Sequence, residues 1–398
     1  MAENPEEIKR SWALQTQWMT GPVAVNKLVP PPYAKIRTNF VQVWREEAQP
    51  TLDWAAVNYS TYIPETVRCI SACYLRINLG TAKFKAYPGL YVIKNFRLRS
   101  GGQIVYSCDY SQFLVVYCES ISDQKLRQFG DIYLGGSEAD SSSTSTREVK
   151  LPLLIPNSTY MRRSNSSTAG HGVFGTNTGN QKVEFELTLN SNLHVSSAQD
   201  NQAGAIAGQC HLMFHTVDVP NALRKKYEDL RGGFNVVIRR FTQLTPQWTH
   251  YANANTMVVD SLSQPSGTCT EIMLLAVPHA GADDARIVHD YIKPTHFEII
   301  ADSITQKLLD SATKVKTELF TNGFSPPVGF ASPGRLCFAS HASTDSTVLY
   351  SGGYNMTSAS TIQFKFSFDQ AVDYRLVAVQ LAKCNIDERG ILTSTLEF

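Results

Sequence analysis

Apolar and polar side chains alternate with a period of two through much of this chain. In KVEFELTLNSNLHV (182–195) the apolar positions are Val183, Phe185, Leu187 and Leu189; in TIQFKFSFDQAV (361–372) they are Ile362, Phe364, Phe366 and Phe368. ETVRCISACYLRINL (65–79) is rich in β-branched and aromatic residues. Successive side chains of a strand point to opposite faces, so these runs predict antiparallel sheets with one buried face. Gly, Pro, Asn and Ser clusters separate them, and many short strands with few helices predict sandwiches or barrels.

The stretch YPGLYVIKNFRLRSGGQIVYSCDY (87–110) carries the clearest hairpin pattern. Leu90, Val92, Phe96 and Leu98 fall at every second position apart from Lys94, and Ile104, Tyr106 and Cys108 resume after the interruption. Two strands are predicted, with Gly101 and Gly102 supplying the positive φ of a tight turn and the alternating apolar residues facing a core.

Two segments read as helices. NPEEIKRSWALQTQWM (4–19) has Asn4 as a cap, Pro5 in the first turn and Glu6 and Glu7 at the positive end. VPPP (29–32) then makes a stiff extended joint. DVPNALRKKYEDLRGG (218–233) puts Leu223, Tyr227 and Leu230 on one stripe and ends at Gly232-Gly233. These features divide the chain into an N-terminal arm (1–34), a first β domain (35–217), a linking helix (218–233) and a second β domain (234–398). The two halves echo each other. ETVRCISACYLRINL then YVIKNFRLRSGGQIVYS in the first is matched in order by SGTCTEIMLLAV then YIKPTHFEIIADSITQKLL in the second. Two long polar segments, about 121–148 and 157–181, read as exposed loops of the first domain.

Composition narrows the function. Lys and Arg number 36 against 35 Asp and Glu, and the first fifty residues hold no polybasic run. Charge neutralisation of phosphates, the basis of non-specific nucleic-acid binding, has no obvious agent here, so no direct nucleic-acid role is expected. The eight cysteines are scattered without the spacing of a disulfide framework or zinc site. The N-terminus does not read as a secretory signal, and apolar runs such as Ile272–Val277 are far shorter than a membrane span.

Three patterns suggest chemistry and lose on context. GHGVFG (170–175) matches a dinucleotide-binding fingerprint, yet a Ser/Asn loop precedes it and no helix follows to receive a pyrophosphate. His211 and His215 lie four apart in HLMFH, a zinc spacing on a helix; this stretch reads as a strand, where they would stand ~13 Å apart. Asp283 and Asp284, with His279 and His289 nearby, read as a solvated loop. No catalytic residue, metal ligand or cofactor is expected.

The strand-rich halves, linking helix, first-half loops and arm together resemble the double jelly-roll major capsid proteins of tailless icosahedral double-stranded DNA viruses, the lineage of the adenovirus hexon and of nucleocytoplasmic large DNA viruses. YVIKNFRLRSGGQIVYSCDY is similar to that family's first-domain hairpin, with Gly101 and Gly102 at its turn. YSGGYNMTSAST (350–361) resembles its late Ser-Gly…Asn-x-Ser motif, with Ser351, Gly352 and Asn355 in matching places. It departs in lacking the preceding proline, in Met356 and in Thr357. The tail from Tyr374 resembles the closing strands, with Gly390 as the loop glycine.

The resemblance implies an all-β fold of two consecutive eight-stranded jelly rolls and a structural role without catalysis. Two similar lobes per chain and three chains per capsomer would give a pseudo-hexameric homotrimer able to tile an icosahedral shell. Its partners would be neighbouring capsomers and minor capsid proteins, with an internal membrane on the inner side, and its location the virion. Two rival classes are a carbohydrate-binding or glycan-active β-sandwich protein and a minor capsid protein of the same lineage.

Overall fold

The computed structural model describes residues 39–42, 58–63, 69–78, 85–109, 112, 134–136, 148–153, 174–175, 183–190, 211–216, 235–245, 247–252, 254, 257–261, 267–279, 290–321, 330–338, 353–386 and 392–396. The arm at 1–34 and the linking helix at 218–233 lie outside the described residues. So do most of the two long loops.

The N-terminal half carries β1 (Asn39–Gln42), β2 (Asn58–Tyr62), β3 (Cys69–Asn78), a one-turn helix α1 (Gly89–Val92), β4 (Ile93–Ser100) and β5 (Gln103–Asp109). It continues with β6 (Glu148–Leu153), β7 (Phe174–Gly175), β8 (Val183–Leu189) and β9 (His211–Thr216). The C-terminal half carries β10 (Asn235–Gln243), β11 (Thr249–Tyr251), β12 (Val258–Ser261), β13 (Thr268–Pro278), β14 (His296–Ala301) and β15 (Ile304–Leu309). Helix α2 (Ala312–Thr321), β16 (Gly334–Cys337), β17 (Tyr354–Asn355), β18 (Ile362–Ser367), β19 (Val372–Ile386) and β20 (Leu392–Leu396) follow. The chain divides into two units, Met1–Ile238 with Lys383–Thr395, and Arg239–Ala382 with Leu396–Phe398.

The strand orders give the fold away. The first unit has sheets ordered β1-β9-β3-β6 and β2-β8-β4-β5, with β7 as an addition beside β3. The second is built on β10-β19-β13-β16 and β12-β18-β14-β15, with β11 beside β19 and β17 beside β13. Setting the additions aside and counting strands along each half, both read 1-8-3-6 and 2-7-4-5. That interleaving of early and late strands across two sheets is the jelly-roll arrangement. The two stretches that echo in sequence occupy the same topological places: β3 and β13 stand third, and the hairpins β4–β5 and β14–β15 stand fourth and fifth.

The halves agree in finer detail. β3 and β13 each hold one extra residue against their eighth-strand partner, Ser71 and Thr270, the third residue of each strand. β5 and β15 each hold one too, Val105 and Gln306, again third. Both hairpins turn on two residues of positive φ: Gly101 (57°) with Gly102 (80°), and Asp302 (49°) with Ser303 (66°). Positive φ at both central positions matches the right-handed twist of the flanking strands.

Burial follows the alternation where strands are regular. β8 alternates buried and half-buried throughout, placing Val183, Phe185, Leu187 and Leu189 in the core. Its outward Glu186 meets Arg97 (3.2 Å) and Arg99 (2.6 Å) of β4 across the ladder. In the second unit Ile272, Leu274 and Ala276 of β13 and Leu376 and Ala378 of β19 pack in one cluster with Phe297, Ile299, Phe364 and Phe366 from the facing sheet.

Three departures from the alternation have local causes. Leu90 and Val92 belong to α1, not to a strand: Tyr87 has a φ of 54° and Pro88 starts a turn, with the amides of Leu90 and Tyr91 donating to the carbonyls of Tyr87 and Pro88. Ile104 is 39% exposed while Val105 is buried, because the extra residue in β5 reverses its parity. β13 and β19 are buried on both faces, not one: Met273, Leu275, Val277, Val377 and Val379 are fully buried opposite the core cluster. The uninterrupted run IMLLAV is the sequence mark of such a strand.

The Gly101-Gly102 turn gives a direct test. A Cβ on Gly102 would meet nothing within 4 Å, so its φ of 80° is the whole obstacle to another residue. Gly102→Ala is expected to cost about 1–2 kcal/mol, the penalty of left-handed backbone, as a lowered denaturation midpoint with unchanged slope.

Candidate functional site

The residues singled out by sequence divide sharply. Gly101 and Gly102 form the β4–β5 turn. Asn355 ends β17 and caps the 3-10 turn Met356–Ser358: its Oδ1 accepts from the Thr357 amide at 3.0 Å, and Ser358 Oγ donates to its carbonyl at 2.8 Å. The turn is tied to β13 through Gly267, whose amide donates to Thr357 Oγ1 at 2.7 Å and whose carbonyl accepts from the Met356 amide at 3.1 Å. Met356 is thereby delivered into the core cluster. Ser351, Gly352 and Gly390 lie outside the described residues.

The discounted motifs also find places. Phe174 and Gly175, the last two positions of GHGVFG, pair as β7 with Ile70 and Cys69. His211 and His215 both lie in the strand β9. Asp283, Asp284 and His289 lie outside the described residues. His279 does not; it has partners the sequence did not suggest.

Those partners come from neighbouring strands at one end of the larger sheet of the second unit. β11 and β13 flank β19, with His250 directly opposite Asp373 in one ladder and Val277 opposite it in the other. His279 follows two residues after Val277. His250 Nδ1 lies 3.2 Å and His279 Nδ1 2.8 Å from the same oxygen, Asp373 Oδ1. The imidazole centroids are 3.7 Å apart with a 38° tilt. Asp373 is buried, while each histidine side chain is 42% exposed. The sequence positions 250, 279 and 373 share no spacing rule, so only the strand order brings them together.

A second polar group lies within the same sheet. Arg335 of β16 donates through Nη1 to Glu271 Oε2 of β13 at 2.9 Å, with both side chains essentially inaccessible. Cys337 Sγ lies 3.8 Å from the same carboxylate oxygen. Burial, reinforced by the Glu271 charge, pushes the Cys337 thiol up to about 12 and also raises Cys269. Nearby, Glu318 of α2 accepts from the Cys337 amide at 3.1 Å and pairs with Lys307 of β15, which also donates to the Cys337 carbonyl. These contacts fasten α2 to β15 and β16. A thiol held protonated and a carboxylate locked to arginine make a structural clamp, with neither group presented to solvent.

Strand order and duplication define the class: the chain has a double jelly-roll fold. Several solved structures share it, among them these three. The chain superposes on the capsid of PBCV-1 with a TM-score of 0.66 at 11% identity, over 92% of this chain and 98% of that one. For the Faustovirus major capsid protein the TM-score is 0.59 at 9% identity, over 99% and 98%. For the mavirus major capsid protein it is 0.55 at 9% identity, over 91% and 92%. No family model and no curated protein matches the sequence.

The buried ion pair can be tested by removing one partner, then both. Arg335→Met leaves the Glu271 carboxylate buried without its arginine and is expected to cost about 3–5 kcal/mol. Glu271→Met combined with Arg335→Met is expected to recover most of that loss, measured as ΔG of unfolding in denaturant.

Proposed function

We propose that this chain is the building block of an icosahedral viral shell, a major capsid protein that acts as structure and not as a catalyst. The observation that carries the reading is the strand order 1-8-3-6 and 2-7-4-5, present twice in one chain. Likeness to capsid proteins of three viruses over nearly the whole length supports it.

The physical logic runs from duplication to tiling. Two lobes of one topology in each chain let a homotrimer offer six similar sides, so three-fold closure serves a hexagonal lattice. Residues 35–217 would form the first jelly roll and 234–398 the second, with 218–233 linking them and the long first-half loops on the outer surface. The arm at 1–34 would reach adjoining capsomers or minor capsid proteins below. A near-neutral charge suits a wall over an internal membrane better than one in contact with a naked genome.

Native mass spectrometry of the full chain, followed by electron microscopy, tests the reading. A trimer with pseudo-hexagonal outline is the expected result. A stable monomer retained on immobilised glycans would overturn it in favour of a sugar-binding sandwich.

A further inference from the structure

We propose that His250, His279 and Asp373 form a binding site for a divalent metal ion of the zinc type. The inference stands apart from the capsid reading, since it rests on three side chains of the second unit alone.

The donor atoms have the right identity and spacing. Zinc takes imidazole nitrogen and carboxylate oxygen at ligand distances of about 2.0–2.2 Å, which places neighbouring ligand atoms of a tetrahedron roughly 3.3 Å apart. Here the two Nδ1 atoms stand 3.2 and 2.8 Å from Asp373 Oδ1, and all three donors lie within 4.8 Å of one another. Seating an ion among them requires the two rings, now 3.7 Å apart at their centroids, to swing apart by roughly 1 Å through their side-chain torsions. Both rings would turn unprotonated Nδ1 atoms to the metal and keep their protons on Nε2.

The surroundings favour a cation. The Asp373 carboxylate is withdrawn from water, with its Oδ1 turned to both imidazoles. One dication serves all three groups.

The ligands are also held firmly. His250 and Asp373 sit in paired strands, and His279 directly follows β13, so the backbone fixes their separation before any ion arrives. Three protein ligands, with half-exposed rings on the solvent side, leave a fourth coordination position for water.

The test uses the full-length chain, stripped with chelator and titrated with zinc chloride by calorimetry, then with cobalt(II) monitored by visible absorption. One equivalent of zinc per chain is expected at this site, with the intense d–d bands of tetrahedral cobalt and a zinc-dependent rise in Tm. His250→Ala and His279→Ala change exposed side chains and should keep the fold, checked by circular dichroism without metal. Each is expected to weaken that equivalent at least tenfold and to abolish the Tm rise, as is Asp373→Asn. Equal zinc stoichiometry and affinity in wild type and both histidine variants would overturn the proposal, as would the absence of tetrahedral cobalt bands.

Discussion

Each unit depends on one long-range ladder, between its third strand and its eighth. β3 pairs with β9 and β6, and β13 pairs with β19 and β16, so the third strand is central in both larger sheets. The β13–β19 ladder runs from Cys269 opposite Gln380 to Pro278 opposite Val372, joining residues about a hundred positions apart. Loop-closure entropy rises only logarithmically with such separations. The pairing must nevertheless be selected among many registers, and a one-residue slip turns every side chain to the other face. Alternation cannot make that selection here, because both faces of β13 are buried. The buried charges can. Glu271, Asp373 and Arg375 all lie on the face opposite the core cluster, and a slip would drive them among Phe364, Phe366 and Phe297 at several kcal/mol each. The polar residues of this sheet therefore specify the alignment that its apolar residues leave ambiguous.

The same ladder explains why polar chemistry collects where it does. Strand β19 is flanked by β13 and, at one end, by β11, so a side chain on its outward face meets residues from two neighbours at once. Asp373 receives His250 from one side and His279 from the other. Glu271, on β13, meets Arg335 from β16 by the same cross-strand reach. None of the members of either cluster is among the residues with positive φ.

How much of this is legible in the sequence follows from distance along the chain. The hairpins β4–β5 and β14–β15, and the alternating strands β8 and β18, are readable because their patterns are local. Their echo between halves points to the right strands, since SGTCTEIMLLAV covers β13 up to Val277 and ETVRCISACYLRINL contains β3. What escapes has nonlocal or single-residue causes. Ile104 turns outward because Val105 has no partner across the ladder, and no composition rule marks that. The His250–His279–Asp373 group depends on which strands become neighbours. His279 is visible as a candidate, but sequence proximity pairs it with Asp283, Asp284 and His289 instead of with a carboxylate ninety-four residues away.

The two hairpin turns show why so little sequence identity suffices to keep such a fold. Both need two consecutive residues at positive φ. One half meets the need with Gly101-Gly102, which adopt that backbone at no steric cost. The other uses Asp302 and Ser303, which pay a left-handed penalty, and Asp302 offsets it: its carboxylate accepts from the amides of Ser360 at 2.8 Å and Thr361 at 2.9 Å, and its own amide donates to the Thr361 carbonyl at 3.0 Å. One turn is permitted by the absence of a side chain, the other held by the presence of one. The extra third residue in β5 and in β15 is likewise Val in one half and Gln in the other. What the halves share is a backbone course, and each position can satisfy it with different chemistry. Selection acting on lobe shape would preserve that course while letting residues drift, the pattern seen between the halves and in superpositions at 9–11% identity.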